Sequence, residues 1–267
     1  MIAFTKAHAY GNDFLYVPAE ELHALDVTAW ARRLCDRHRG IGADGLILYT
    51  RTRDGATMKL LNADGSPSEL SGNGLRGLAA IVARERAASG DDRRTIAVQT
   101  TAGLRTLTLD AIEKHAYLFT AEMGAPKDIQ QTTLDVAGES VVATVLSVGN
   151  PQCVVLGTLP DDDRFARLGA ALERHPAFPN RTNVEFAEVE SADRIRIRIW
   201  ERGVGPTESS GTGSCAAAVA AATHGGTGRS LDVVAPGGTQ RVVWTDRGLT
   251  LTGWAEILAD GTFCAQL

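Results

Sequence analysis

The chain of 267 residues contains no apolar run long enough to span a bilayer, so a membrane-spanning role is not expected. Its first residues, Met1-Ile2-Ala3-Phe4-Thr5-Lys6, read as the start of a strand rather than as a signal peptide. Cysteine is scarce: Cys35, Cys153, Cys215 and Cys264 are widely spaced and form no C-x-x-C pair. That spacing argues against a disulfide framework and against a structural zinc site. The six histidines show no metal-ligand spacing. A basic excess is also missing. The formal net charge is -5, which offers no positive field to nucleic acid. What remains is 44% apolar residues, enough for one or two full cores, and the expectation is a cytoplasmic enzyme.

One short pattern occurs twice. Ser71-Gly72-Asn73-Gly74 runs into Leu75-Arg76-Gly77-Leu78-Ala79-Ala80, and Ser210-Gly211-Thr212-Gly213 runs into Ser214-Cys215-Ala216-Ala217-Ala218. Each reads as a Gly-rich turn opening an Ala-rich helix, whose first N–H groups lack intrahelical partners and sit at a positively polarised end. The copies lie about half a chain apart, which suggests two similar lobes. Nine positions upstream of each Ser stands a polar residue, Asn62 in the first copy and Glu201 in the second. Lobes packed face to face would bring two Ser side chains and two sets of N–H donors to one cleft, a geometry suited to a carboxylate.

Short strands dominate the rest. Residues 194–200 alternate Arg and Ile as a strand with one wet face does. Further strands are expected at 58–61, 95–100, 104–110, 141–148, 152–156, 183–189, 242–245 and 249–253. Helices are expected at 27–37, along the two Ala-rich segments, and at 161–174, where Pro160 precedes an acidic first turn. Strands and helices do not alternate regularly, so the fold class is α+β rather than a doubly wound sheet. The boundary between lobes is expected near 114–117, giving 1–116 and 117–254, with 255–267 returning to the first lobe. The polar stretch 89–94 reads as a surface loop.

Several motifs fail on context. Gly40-Ile41-Gly42-Ala43-Asp44-Gly45 matches G-x-G-x-x-G but follows a charged helix end and precedes a strand, the reverse of a dinucleotide site. Neither Ser-Gly-x-Gly segment carries the Gly-Lys-Ser/Thr of a P-loop, and no G-x-S-x-G elbow exists. Cys215, among small apolar residues, reads as a buried hydrophobe rather than a reactive thiol.

Eight segments, in order, resemble the diaminopimelate epimerase family. They are Lys6-Ala7-His8-Ala9-Tyr10-Gly11-Asn12-Asp13-Phe14, Arg39 to Gly45, Asn62-Ala63-Asp64-Gly65-Ser66, and Gly72-Asn73-Gly74-Leu75-Arg76. Val148-Gly149-Asn150-Pro151, Asn183-Val184-Glu185-Phe186, Glu201-Arg202-Gly203-Val204-Gly205 and Gly211-Thr212-Gly213 follow. The resemblance implies two pseudo-symmetric lobes, each a curved, mostly antiparallel sheet around a central helix. It implies an isomerase that interconverts LL- and meso-diaminopimelate by α-proton transfer, for lysine and cell-wall synthesis, with no pyridoxal phosphate, no metal and no other cofactor. It implies a homodimer acting on a small amino-acid substrate. On that pattern Gly72, Asn73, Gly211 and Thr212 hold the reacting carboxylate. Asn12, Asn62, Asn150, Asn183, Glu201 and Arg202 grip the amino and carboxylate groups. Arg202 suits a carboxylate and Glu201 an ammonium.

The reactive centre departs from the family. Where the family places a Cys before each Gly-x-Gly, this chain has Ser71 and Ser210. A thiol ionises near pH 8.5 and more easily at a helix start, whereas an alcohol needs an adjacent base. Glu69 and Glu208 each lie two residues before a Ser, and Ser is also a good helix N-cap. The catalytic positions are therefore Ser71 and Ser210, with proton transfer expected to be weak or lost. Pro206 and Gln152 also stand where the family usually has Glu and His, which favours a natural divergence over a paired Cys→Ser alteration. Two alternatives follow: an isomerase of another amino acid that uses Ser with a carboxylate partner, and a non-catalytic amino-acid-binding paralogue.

Overall fold

A computed structural model describes residues 1–22, 26–68 and 71–264. The chain divides into two compact units, Met1–Ala121 with Gly253–Leu267, and Glu122–Thr252.

The first unit runs β1 (Ile2–Ala9), β2 (Asn12–Pro18), α1 (Val27–Cys35), β3 (Gly45–Thr52), β4 (Gly55–Asn62), β5 (Pro67–Ser68), α2 (Gly72–Ala88), β6 (Thr95–Thr100), β7 (Gly103–Glu113) and β8 (Ala116–Gly124). β1–β2, β3–β4, β4–β5, β6–β7 and β7–β8 pair antiparallel; β2–β3 and β4–β6 pair parallel. The second unit runs β9 (Lys127–Val136), β10 (Glu139–Ser147), β11 (Pro151–Leu156), α3 (Asp162–Glu173), β12 (Asn183–Ser191), β13 (Arg194–Glu201), β14 (Gly205–Thr207), α4 (Gly211–His224), β15 (Ser230–Ala235), β16 (Gly238–Thr245) and the start of β17 (Gly248–Phe263), whose residues from Gly253 on belong to the first unit. From β10 to β17 the pairings repeat those of β1 to β8 one for one, with the parallel links now β11–β12 and β13–β15. The twin Ser-Gly-x-Gly motifs are thus the visible part of a repeat that covers the whole fold.

Composition explains the central helices. α2 buries 12 of its 17 residues and α4 buries 9 of its 14, so strands cover each helix on nearly every side. A helix that is apolar around most of its girth is stable only when enclosed in this way. Alanines at 79, 80, 216, 217, 218, 220 and 221 keep these helices thin enough for strands to approach closely. At Gly77 a Cβ would lie 2.0 Å from the Tyr16 hydroxyl, which donates to the Gly74 carbonyl at 2.9 Å. α1 and α3 pack on the outer sheet faces over separate apolar clusters.

The expected strands all form, and the fold is α+β as read. Strands at 2–9, 12–18, 45–52, 116–124, 127–136 and 230–235 were not all resolved by pattern alone, and β17 continues far past 253. The helix expected to reach residue 37 stops at Cys35. Asp36 turns the chain there, because its carboxylate accepts from the backbone N–H groups of His38 and Arg39, both at 2.8 Å. Among the described residues no helix is long and apolar enough to cross a membrane.

Candidate active site

In the first unit, Ser71 is the N-cap of α2. Its backbone is extended, and its Oγ accepts from the Gly74 N–H at 3.1 Å. Gly72 is exposed and open around its Cα. The Asn73 amide donates to Asn12 Oδ1 at 3.4 Å, and its oxygen accepts from the buried Arg76 guanidinium. Asn12 in turn donates to Asp44 at 2.7 Å. Beneath this chain Asp13 takes a bidentate bond from Arg37 and an ion pair from Lys6 at 2.9 Å. Burial opposes the Asp13 charge, but Arg37 and Lys6 hold its carboxyl below the usual range. The turn that launches Asn12 is tight: Tyr10 and Gly11 both have positive φ, as a two-residue hairpin loop requires.

In the second unit, Ser210 caps α4 in the same way, with Oγ accepting from the Gly213 N–H at 3.2 Å. Asn150 donates to Thr212 Oγ1 at 3.3 Å. Asn183 orders the turn after β13: its oxygen accepts from the Arg202 backbone N–H at 3.0 Å, and its amide donates to the Pro151 carbonyl at 3.2 Å. The Arg202 guanidinium is exposed and donates to the Asn180 carbonyl at 3.1 Å. Gly211 abuts Leu251.

The strand registers make the candidate residues equivalent in pairs. Phe14 pairs with Gly45 and Gln152 with Asn183, so Asn12 and Asn150, each two residues earlier, correspond. Asn62 pairs with Gly45, and Glu201 follows Trp200, the partner of Val184, so Asn62 corresponds to Glu201. Their environments differ. Asn62 is exposed and donates to Ser66 Oγ at 3.0 Å. Glu201 is half-buried. Burial raises its carboxyl above the usual range, while the Ser210 and Thr207 hydroxyls beside it pull partly back.

Glu201 is the carboxyl that the Ser210 hydroxyl bears on. Glu208 is exposed, and its carbonyl accepts from Gly237. Glu69 lies outside the described residues. Cys215 is fully buried in the core around α4, in keeping with a packing role. Sequence reasoning gave no site role to Glu185, which is fully buried with Gly213 packed against its carboxyl. The available signal was a carboxylate inside the apolar run Val184-Glu185-Phe186.

The chain matches the family model for diaminopimelate epimerase over residues 4–129 and 144–258. It is 40% identical to the diaminopimelate epimerase of Desulforudis audaxviator over 277 aligned positions, covering 97% of this chain and 98% of that one. Identity to the diaminopimelate epimerase of Pelotomaculum thermopropionicum is 36%, covering 97% and 98%. A solved structure described as a predicted epimerase from Pseudomonas aeruginosa shares the fold over 100% of both chains, with a TM-score of 0.73 at 14% identity. Fold, repeated helix starts and relatives place the chain among the epimerase-type isomerases. It belongs to the diaminopimelate epimerase family.

Proposed function

We propose that the chain transfers the α-proton of diaminopimelate between its LL and meso forms, slowly, with Ser210 and Glu201 as the competent pair. The observation that carries this reading is the half-buried Glu201 carboxyl beside the Ser210 hydroxyl. Ser210 Oγ accepts a hydrogen bond from the Gly213 N–H, which leaves its own proton to give away. When Oγ takes the α-proton, the hydroxyl proton passes to the Glu201 carboxylate, and the reverse step returns it. The substrate carboxylate gains charge as the α-proton leaves. Unpaired N–H groups at the helix starts, at Gly72, Asn73, Gly211 and Thr212, favour that charge. Asn12, Asn62, Asn150, Asn183 and Arg202 supply the remaining grips in this reading. Inversion needs a second donor on the opposite face, a role that falls to Ser71. The residue matching Glu201 in its unit is the amide Asn62, which cannot take a proton.

Family membership supports a cytoplasmic, homodimeric enzyme of lysine and cell-wall synthesis that works without a cofactor. A second reading, an amino-acid-binding protein without catalysis, is favoured by the same caps, because each Ser is already accounted for by the N–H it accepts. Deuterium exchange at the α-carbon separates the two. Wash-in from heavy water supports the isomerase, and binding with no wash-in under any condition supports the binder.

A further inference from the structure

Under the start of α4 lies a line of polar side chains from three elements. Glu185 on β12 is fully buried, Gln152 on β11 is nearly so, and Asn150 and Thr212 follow toward the surface. Gln152 donates its amide to Asn150 Oδ1 at 2.7 Å, and Asn150 donates to Thr212 Oγ1 at 3.3 Å. In that setting the Gln152 oxygen faces the two Glu185 oxygens at 3.0 and 3.2 Å. An ionised Glu185 would set its two acceptor oxygens against the Gln152 oxygen with no proton between them; a protonated one would donate its O–H to Gln152. Turning the Gln152 amide over lets it donate to an ionised Glu185 and accept from Thr212 at 3.1 Å. That turn sets its oxygen 2.7 Å from Asn150 Oδ1, so Asn150 must turn too. The state of one buried carboxyl therefore decides whether Asn150 presents a donor or an acceptor.

We propose that Glu185 is a positioning residue: as a neutral hydrogen-bond donor it fixes the Asn150 amide with NH2 outward, ready to receive a substrate carboxylate. The relay runs Glu185 to Gln152 to Asn150 to Thr212, each group donating to the next. Its surroundings favour the neutral form. Glu201 on β13 is the charge that reaches Glu185, and it adds to burial in the same direction. From β11 come uncharged Gln152 and Cys153, whose own thiol is pushed up by burial and then by Glu185. From α4 comes Gly213, where a Cβ would lie 2.6 Å from Glu185 Oε1. The absence of a side chain at that position is what admits the carboxyl. The proposal rests on the reading of this half-site as one that grips substrate.

Two measurements on the full-length protein test it. In protein with 13C-labelled Glu carboxyls, one signal should keep its protonated position at pH 7 and vanish in Glu185→Gln. A Glu185 signal that titrates in the ordinary carboxylate range, about 4.3, would overturn the relay. In calorimetry with meso-diaminopimelate, Glu185→Leu should bind at least tenfold more weakly. Glu185→Gln, still able to donate to Gln152, should restore affinity and remove the loss of binding on the alkaline side. Equal affinity and equal pH dependence in all three proteins would also overturn the proposal. Failure of the unaltered chain to bind diaminopimelate would sink the proposed reaction instead, and the carboxyl signal would still decide the relay.

Discussion

Asn62 and Glu201 occupy the same position in the two repeats, each opposite the first residue of the preceding paired strand and nine residues before a helix-capping Ser. One is an exposed amide and the other a half-buried carboxyl. The repeat thus preserves helix starts and caps in both units, while at this one position only the second unit carries a proton acceptor. An alcohol needs an adjacent base more than a thiol does, so in the proposed reaction this asymmetry sets which serine can transfer a proton.

Glu201→Gln should reduce α-proton exchange by about 100-fold or more, the lower end of what a positioned general base contributes. Exchange in the unaltered chain should rise with pH through a value above the ordinary glutamate figure of about 4.3, because the base acts only when ionised and burial raises its carboxyl. A pH–rate profile identical in both proteins would remove Glu201 from the mechanism.

Introducing thiols at the two helix caps should raise inversion. Ser71→Cys with Ser210→Cys together is expected to increase the rate by about tenfold or more, since thiolates form readily at helix starts. Either change alone should give little inversion, which needs partners on both faces. The check is polarimetric or NMR-monitored interconversion, and a folded double variant with no gain would count against intact substrate grips.

Gly77→Ala sets helix propensity against packing. Ala gains about 1 kcal/mol in a helix interior. Its Cβ would meet the Tyr16 hydroxyl at 2.0 Å, and both groups are fully enclosed. Overpacking of this kind costs about 1–3 kcal/mol, so net destabilisation is expected in urea unfolding. A stabilised variant would show that Tyr16 yields easily.

Glu185 should make stability depend on pH. Its folded carboxyl is raised by burial first and by Glu201 second, so its contribution is complete below the unfolded value and is lost as pH rises toward the folded one. Glu185→Gln carries no such loss. Its stability relative to the unaltered chain should therefore grow with pH, by up to about 1.4 kcal/mol for each unit in that window. Denaturation at pH 5, 6, 7 and 8 reads this directly, and a constant difference would contradict a neutral buried Glu185.

Much of the fold was legible because local chemistry and tertiary structure agree. Ser-Gly-x-Gly before an Ala-rich run is a cap and an enclosed helix in both places, and 194–200 is the alternating strand it reads as. The site was less legible. Glu208 is nearer to Ser210 in sequence, but β13 and β14 fold back antiparallel and carry Glu201 to it instead. Glu185 looked like one more strand residue. Its burial follows from the bare Cα of Gly213 on a helix 28 residues later, a contact that no local pattern encodes.

The most direct test of the account is NMR of the α-carbon in heavy water with LL- and meso-diaminopimelate supplied separately to the purified protein. Deuterium wash-in should outrun inversion, because the second unit has a serine with a carboxyl and the first has a serine matched to an amide. Bound substrate with no wash-in from either isomer would contradict it, and would leave a binding cleft without proton transfer.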